Sequence, residues 1–193
     1  MKRSVIAATV LASLFMSAGS FAAEGSTSTE GQLTINGKVT ETTCQFLSGS
    51  ENTTISMSEI GRDQFENVDV GSPVTTYSNT TSLPLKVKCS GEKEPRITFS
   101  STQFEGEGSN VTRNTRNTGN ASGVGFAVFL GKGTDSSNRI SGNSSIKLTP
   151  ATNGVYESNG VYELHFTAQY AKAKNDVGTG EVSSAITMTV VTD

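Results

Sequence analysis

Apolar and polar residues alternate with period two along much of this chain, and no helical period of useful length appears after residue 22. That pattern constrains the fold more than any other feature. Successive side chains of a strand point to opposite faces, whereas a helix buries residues three and four apart. Leu33, Ile35, Gly37 and Val39 share one face, with Thr34, Asn36 and Lys38 on the other. Leu83, Leu85, Val87 and Cys89 alternate with Pro84, Lys86 and Lys88. Val124, Phe126, Val128 and Leu130 alternate with Gly125, Ala127 and Phe129. The second set is also apolar, so this strand is expected to be buried on both faces. Tyr162, Leu164, Phe166, Ala168 and Tyr170 alternate with Glu163, His165, Thr167 and Gln169. Ile186, Met188 and Val190 alternate with Thr187, Thr189 and Val191. Residues 53–58 and 96–100 are shorter candidates.

Polar, turn-rich stretches lie between these runs, at residues 105–122, 131–145, 153–160 and 172–180. Ser and Thr number 26 each and, with 20 Gly and 13 Asn, make 44% of the chain. Such an alphabet suits either a disordered chain or a β domain with many turns. The alternation decides for the second. Short strands spaced by turns predict a single β-sandwich.

The first 22 residues are set apart. Lys2 and Arg3 precede an apolar stretch from Val5 to Met16, and Ser20-Phe21-Ala22 places small residues at −3 and −1. This is the pattern of a secretory signal peptide cleaved after Ala22. The stretch is shorter than the roughly 20 residues that span a bilayer. Cleavage leaves 171 residues. Residues 23–30 bury nothing and read as a flexible tip. Cys44 and Cys89 both lie in the exported part, and an even pair in an oxidising compartment reads as one disulfide. The alternatives are a metal pair or a redox dithiol. A Cys-x-x-Cys is absent, and one His does not complete a zinc site.

Motifs for catalysis or nucleotide binding are missing. There is no Gly-x-Ser-x-Gly, no Walker loop and no third Gly after any Gly-x-Gly. His165 is the only imidazole, and its strand position predicts a solvent-facing side chain. Glu105, Glu107 and Asp135 fall in turn regions, where solvated charge is the default reading. Arg113 and Arg116 lack aromatic neighbours, and the net charge is −3, so nucleic acid is not an expected partner. No cofactor, metal site or enzymatic activity is expected.

Two segments together carry a resemblance. Gly31-Gln-Leu-Thr-Ile-Asn-Gly-Lys-Val-Thr-Glu-Thr-Thr-Cys44 resembles the start of mature type 1-like pilins, the subunits of chaperone–usher fimbriae. Tyr162 to Tyr170, followed by Ala171-Lys172-Ala173, is similar to that family's penultimate strand. Gly180, fourteenth from the end, and the alternating Ile186, Met188 and Val190 are similar to its C-terminal strand. The resemblance spans essentially the mature chain. One departure is Thr192, second from the end, where the family usually has an aromatic residue.

The resemblance implies an all-β, incomplete immunoglobulin-like sandwich that lacks its last strand and is completed by a neighbour's. It divides the chain into a signal peptide (1–22), an N-terminal donor extension (23–43) and a pilin domain (44–193). Leu33, Ile35, Gly37 and Val39 are then the donor strand, and Gly180, Ile186, Met188, Val190 and Thr192 belong to the acceptor strand. Implied partners are copies of itself or other fimbrial subunits head-to-tail, a periplasmic chaperone and an outer-membrane usher. The expected function is that of a structural fimbrial subunit, exported through the periplasm to the cell surface and contributing to adhesion. The alternative is a minor or tip-associated adhesin that itself binds a host-surface receptor, with residues 105–122 as the candidate binding loop.

Overall fold

Strand-forming side chains recur in short runs, and each run pairs antiparallel with another. The computed structural model describes residues 43–90, 94–106, 108–152 and 154–192. Residues 1–42, which include the expected signal peptide and the expected donor residues Leu33, Ile35, Gly37 and Val39, lie outside them. The strands are β1 (Thr43–Phe46), β2 (Pro73–Thr80), β3 (Leu85–Ser90), β4 (Pro95–Phe99), β5 (Val124–Leu130), β6 (Ser145–Lys147), β7 (Val155–Ser158), β8 (Val161–Leu164), β9 (Phe166–Lys172) and β10 (Met188–Thr192). Three short 3-10 turns complete the regular elements among the described residues. The protein is all-β. The strands form three open sheets in the orders β1-β3-β8-β7, β10-β4-β6 and β2-β9-β5.

The core lies between the sheets. Leu85 and Val87 of β3, Ile97 and Phe99 of β4, Phe126 and Val128 of β5 and Phe166 of β9 all belong to one buried cluster. Phe99 meets Phe166 edge to face, with ring centroids 6.4 Å apart. The opposite face of β5 and β9 is buried as well. There Val111, Ala127, Phe129 and Ala171 form a second cluster. Every residue of β5 is buried, as its two apolar faces predict. Gly125 lets residues 111–112 lie directly on β5, because a Cβ there would overlap the Thr112 carbonyl oxygen.

Several sequence expectations change: β7 lies within the stretch 153–160 read as turn-rich, and β2 is not among the expected strands. The run from Tyr162 to Tyr170 is two strands, β8 and β9, which break at His165 and belong to different sheets. His165 is half-buried rather than solvent-facing, with its Nδ1 buried and without a partner among the described residues and its ring edge-on to Tyr156 at 6.2 Å. β3 starts at Leu85, since Pro84 has no N–H for the ladder, and Leu83 is 68% exposed. Residues 53–58 and 181–187 are extended but carry no ladder among the described residues, Glu181 making a single bridge to Asn120.

The cysteines form the disulfide expected of them. Cys44 and Cys89 are bonded and stand directly opposite one another in the β1–β3 ladder.

Candidate functional site

The two extended segments without a ladder are the walls of one groove. Along residues 181–192, even-numbered residues are half-buried and all odd-numbered ones are exposed, as in a regular strand. Val182, Ile186, Met188 and Val190 pack inward against the core. Across from them, Ile55, Met57 and Ile60 do the same. The space between the walls consists of two adjoining cavities of about 390 Å³ and about 440 Å³. Met57 and Ser183 line both, so the channel is continuous. Phe126, Val128, Phe166 and Ala168 floor one half, and Val124, Phe65 and Tyr170 floor the other.

Backbone hydrogen bonding shows which way each wall faces. On the outer edge of 181–187, Glu181 N–H donates to Gly119 O at 2.8 Å, Thr115 N–H to Ser183 O at 2.8 Å and Ser100 N–H to Thr187 O at 3.2 Å. Side chains complete that edge. Ser183 N–H donates to Asn114 Oδ1 at 3.1 Å, and Thr187 N–H donates to Gln103 Oε1. Successive backbone groups of an extended chain point to opposite sides. Those of Val182, Ser184 and Ile186 therefore face the groove, and they have no partner among the described residues. The other wall is similar. Asn79 Nδ2 donates to Ser56 O at 2.6 Å and Tyr170 hydroxyl to Ser58 O at 2.9 Å, whereas Ile55 and Met57 have no backbone partner among the described residues. Downstream, β10 pairs with β4 on one side only. Buried or half-buried backbone groups are nearly always paired. The arrangement is a slot for one extended strand with an apolar underside, the geometry of strand addition.

Most of the expected acceptor residues meet here. Gly180, Ile186 and Met188 line the groove. Val190 and half-buried Thr192 continue along β10, where Thr192 pairs with Pro95 of β4. Gly180 has φ +142°, and a Cβ there would lie 2.6 Å from Ala121 N and Gly119 O. This close approach lets the segment run beside residues 119–121, bridging Asn120 to Glu181.

The polar stretch 105–122 has a role that composition did not reveal. Asn114 uses its whole amide. Nδ2 donates to Ala121 O and Glu181 O, both at 3.0 Å, and Oδ1 accepts from Arg116 N–H and Ser183 N–H, both at 3.1 Å. Thr112 is fully buried, accepts from Phe126 N–H at 2.9 Å and donates to Ser184 Oγ at 2.9 Å. Arg113 donates to Phe104 O at 3.1 Å, and Arg116 pairs with Glu181. Asn114, Thr115 and Arg116 thus tie this stretch to the groove wall, while residues 115–120 are exposed.

Among the described residues, the shifted titratable groups have local causes. Asp135 accepts from Ser137 N–H and Oγ–H, both at 2.9 Å, which holds its carboxyl below the ordinary range. Glu163 is lowered by its bond to Lys86 Nζ at 2.7 Å. Burial pushes the Tyr170 phenol up and the His165 imidazole down. No metal-binding group of three or more His, Cys, Asp or Glu occurs among the described residues.

Comparison with known proteins follows the same line. A family described as "Fimbrial protein" matches residues 32–192. The chain is 32% identical, over all of both chains, to "Uncharacterized fimbrial-like protein YehD" of Escherichia coli strain K12. Among solved structures it is similar to the CupB6 tip adhesin from Pseudomonas aeruginosa, at 16% identity and a TM-score of 0.48. That match covers 67% of this chain and 33% of the adhesin, so the chain spans about a third of the adhesin's length.

Proposed function

Since the chain belongs to the fimbrial protein family, which places it among the subunits of a cell-surface fimbrium, we propose that it is a structural subunit that polymerises by donor-strand exchange. The fold is then an immunoglobulin-like sandwich missing its last strand, and the groove between 52–60 and 181–188 is the vacancy. The observation that carries this reading is the pair of inward-facing, unpaired backbone edges over an apolar floor.

The occupant is the N-terminal segment of a second copy or of another subunit. Leu33, Ile35 and Val39 supply knobs for the floor. Each large apolar side chain that becomes fully buried contributes about 1.5–3 kcal/mol, and backbone hydrogen bonds to both walls add to it. Donor and acceptor surfaces differ, so the contact is heterologous and builds a filament. Before assembly the open groove is an aggregation hazard. A periplasmic chaperone covering the groove and an outer-membrane usher are the implied partners. The engagement of residues 105–122 in the groove wall favours the structural role over that of a receptor-binding tip subunit.

The test is to purify the mature chain and a form lacking residues 23–43, each with its chaperone, and to follow chaperone release by electron microscopy. The full form should yield fibres, and the shortened one should yield none while still capturing a peptide of residues 23–43. Fibres from the shortened form would overturn the reading.

A further inference from the structure

We propose that the turn between β7 and β8 is a latched modification site. Asn159 is set for spontaneous deamidation by its neighbour Gly160, and the Glu157 carboxylate holds the reaction off while the hairpin is closed. The turn does not line the groove, and the inference stands whether or not subunits join by donor strands.

Turn geometry requires the reactive pair. Ser158 pairs with Val161, so Asn159 and Gly160 alone make the connection. Both have positive φ, +53° and +74°. This is the type I′ geometry, whose twist matches that of the flanking strands and which selects Asn-Gly. In the same dipeptide a backbone nitrogen attacks the preceding side-chain amide most readily, because glycine has no side chain to hinder the approach. Asn159 is exposed, so water reaches its amide.

The reaction balances without an oxidant or cofactor. The Gly160 nitrogen loses its proton to solvent base and bonds to Asn159 Cγ. The Cγ–Nδ2 bond breaks, and Nδ2 takes a proton from water and leaves as ammonia. The cyclic imide then adds one water at either carbonyl and opens to aspartate or isoaspartate. Ring closure needs the Gly160 nitrogen and Asn159 Cβ on the same side of the Asn159 Cα–C bond. A type I′ turn holds that bond at ψ of about +30°, which puts the two on nearly opposite sides.

The bond must therefore rotate first, and two contacts resist. Gly160 N–H donates to Glu157 Oε1 at 2.7 Å. Gly160 O accepts from Cys89 N–H at 3.1 Å, at the cysteine bonded to Cys44. The carboxylate acts twice. Its charge-assisted hydrogen bond is of the stronger kind and must break for the rotation. Its negative charge also opposes loss of the Gly160 proton. A carboxylate is too weak a base to take that proton itself, so its chemistry makes it a latch and not a catalyst. Isoaspartate, once formed, adds a methylene to the main chain and a negative charge beside Glu157. A two-residue turn does not reclose around it, and the modification records that the hairpin has opened.

The test is the deamidation rate of Asn159 in the full mature chain at neutral pH. It is followed by the mass of the fragment spanning the turn and by enzymatic methylation of isoaspartate. A synthetic peptide of residues 155–164 sets the unlatched rate. The folded chain should react more than about tenfold more slowly than the peptide, and the chain unfolded in urea should match the peptide. Glu157→Ala should speed the folded chain by up to about tenfold, the scale of one hydrogen bond to a charged group. Glu157→Gln keeps an acceptor without the charge and should speed it less. Hydrogen exchange at the Gly160 amide, faster in Glu157→Gln than in the unaltered chain, gives a second reading that does not need the alanine variant to fold. Equal rates in folded chain and peptide overturn the closed site. Unchanged deamidation and unchanged Gly160 exchange in the variants remove Glu157 as the latch. Slower deamidation in the variants makes Glu157 the base and overturns its role as latch.

Discussion

Gly180 and Asn114 together hold the groove wall 181–192, and they differ in how readable they were. A lone glycine at a fixed distance from the end is visible in a sequence. Its physical reason, φ +142° against the backbone of residues 119–121, appears only when that backbone is placed. Gly180→Ala should lower the stability of the subunit by about 1–3 kcal/mol, seen as a lower urea midpoint with an unchanged slope. Asn114 sits in a Thr- and Asn-rich stretch where nothing distinguishes it from its neighbours, and its four hydrogen bonds link residues far apart in sequence. Asn114→Ala should cost about 2 kcal/mol and weaken binding of a peptide of residues 23–43. His165 yields a pH prediction. Burial, aided by Lys132 and opposed by Glu163, holds its imidazole below the ordinary 6.5. The unfolded chain therefore takes up the proton first as pH falls. The contribution of His165 to stability is complete above the unfolded value and is lost as pH drops through the folded one. His165→Gln should flatten the acid side of the stability profile below the unfolded histidine value of about 6.5.

Among the elements, period-two alternation located β3, β4, β5, β8, β9 and β10 because it reports one buried face, and it did not reveal β1, β2, β6 or β7. It was most informative for β5, where both rows are apolar and both faces are buried. It failed where the chain changes sheet. The alternation from Tyr162 to Tyr170 continues unbroken through His165 because the inward row stays inward on both sides of the break. Residues 53–58 and 181–187 show the converse. The alternation read at 53–58 and from Ile186 holds in the burial pattern, which continues back to Val182, but a strand also needs a neighbour, and sequence does not say whether one is present. The disulfide was legible from compartment and parity, whereas its place across the β1–β3 ladder was not. Cys44→Ser with Cys89→Ser should reduce stability by up to about 4 kcal/mol in the loop-entropy picture. β1, with only four paired residues, should lose amide protection first, which hydrogen exchange would detect.

At the scale of the whole molecule, the polar composition no longer looks anomalous. Thr75, Thr76 and Thr189 fill outward strand positions, and Asn, Ser and Thr of residues 100–122 supply bonds that a sheet would otherwise provide. In the proposed assembly one layer of the core is left to an incoming strand. Stability should therefore rise markedly on addition of a peptide of residues 23–43, with the thermal midpoint increasing with peptide concentration as mass action requires. The Cys44–Cys89 bond has a further consequence once subunits are joined in series. If subunits are linked through the N-terminal segment as proposed, tension from the neighbour enters this chain at Thr43 and meets the covalent staple at the next residue. The force then passes straight into β3, and the segment from Gln45 to Lys88, with its weakly paired groove wall, is bypassed. An oxidised filament should thus stretch as a chain of short links. A reduced one should pay out up to forty-four residues per subunit, a difference in contour length that single-filament pulling would resolve.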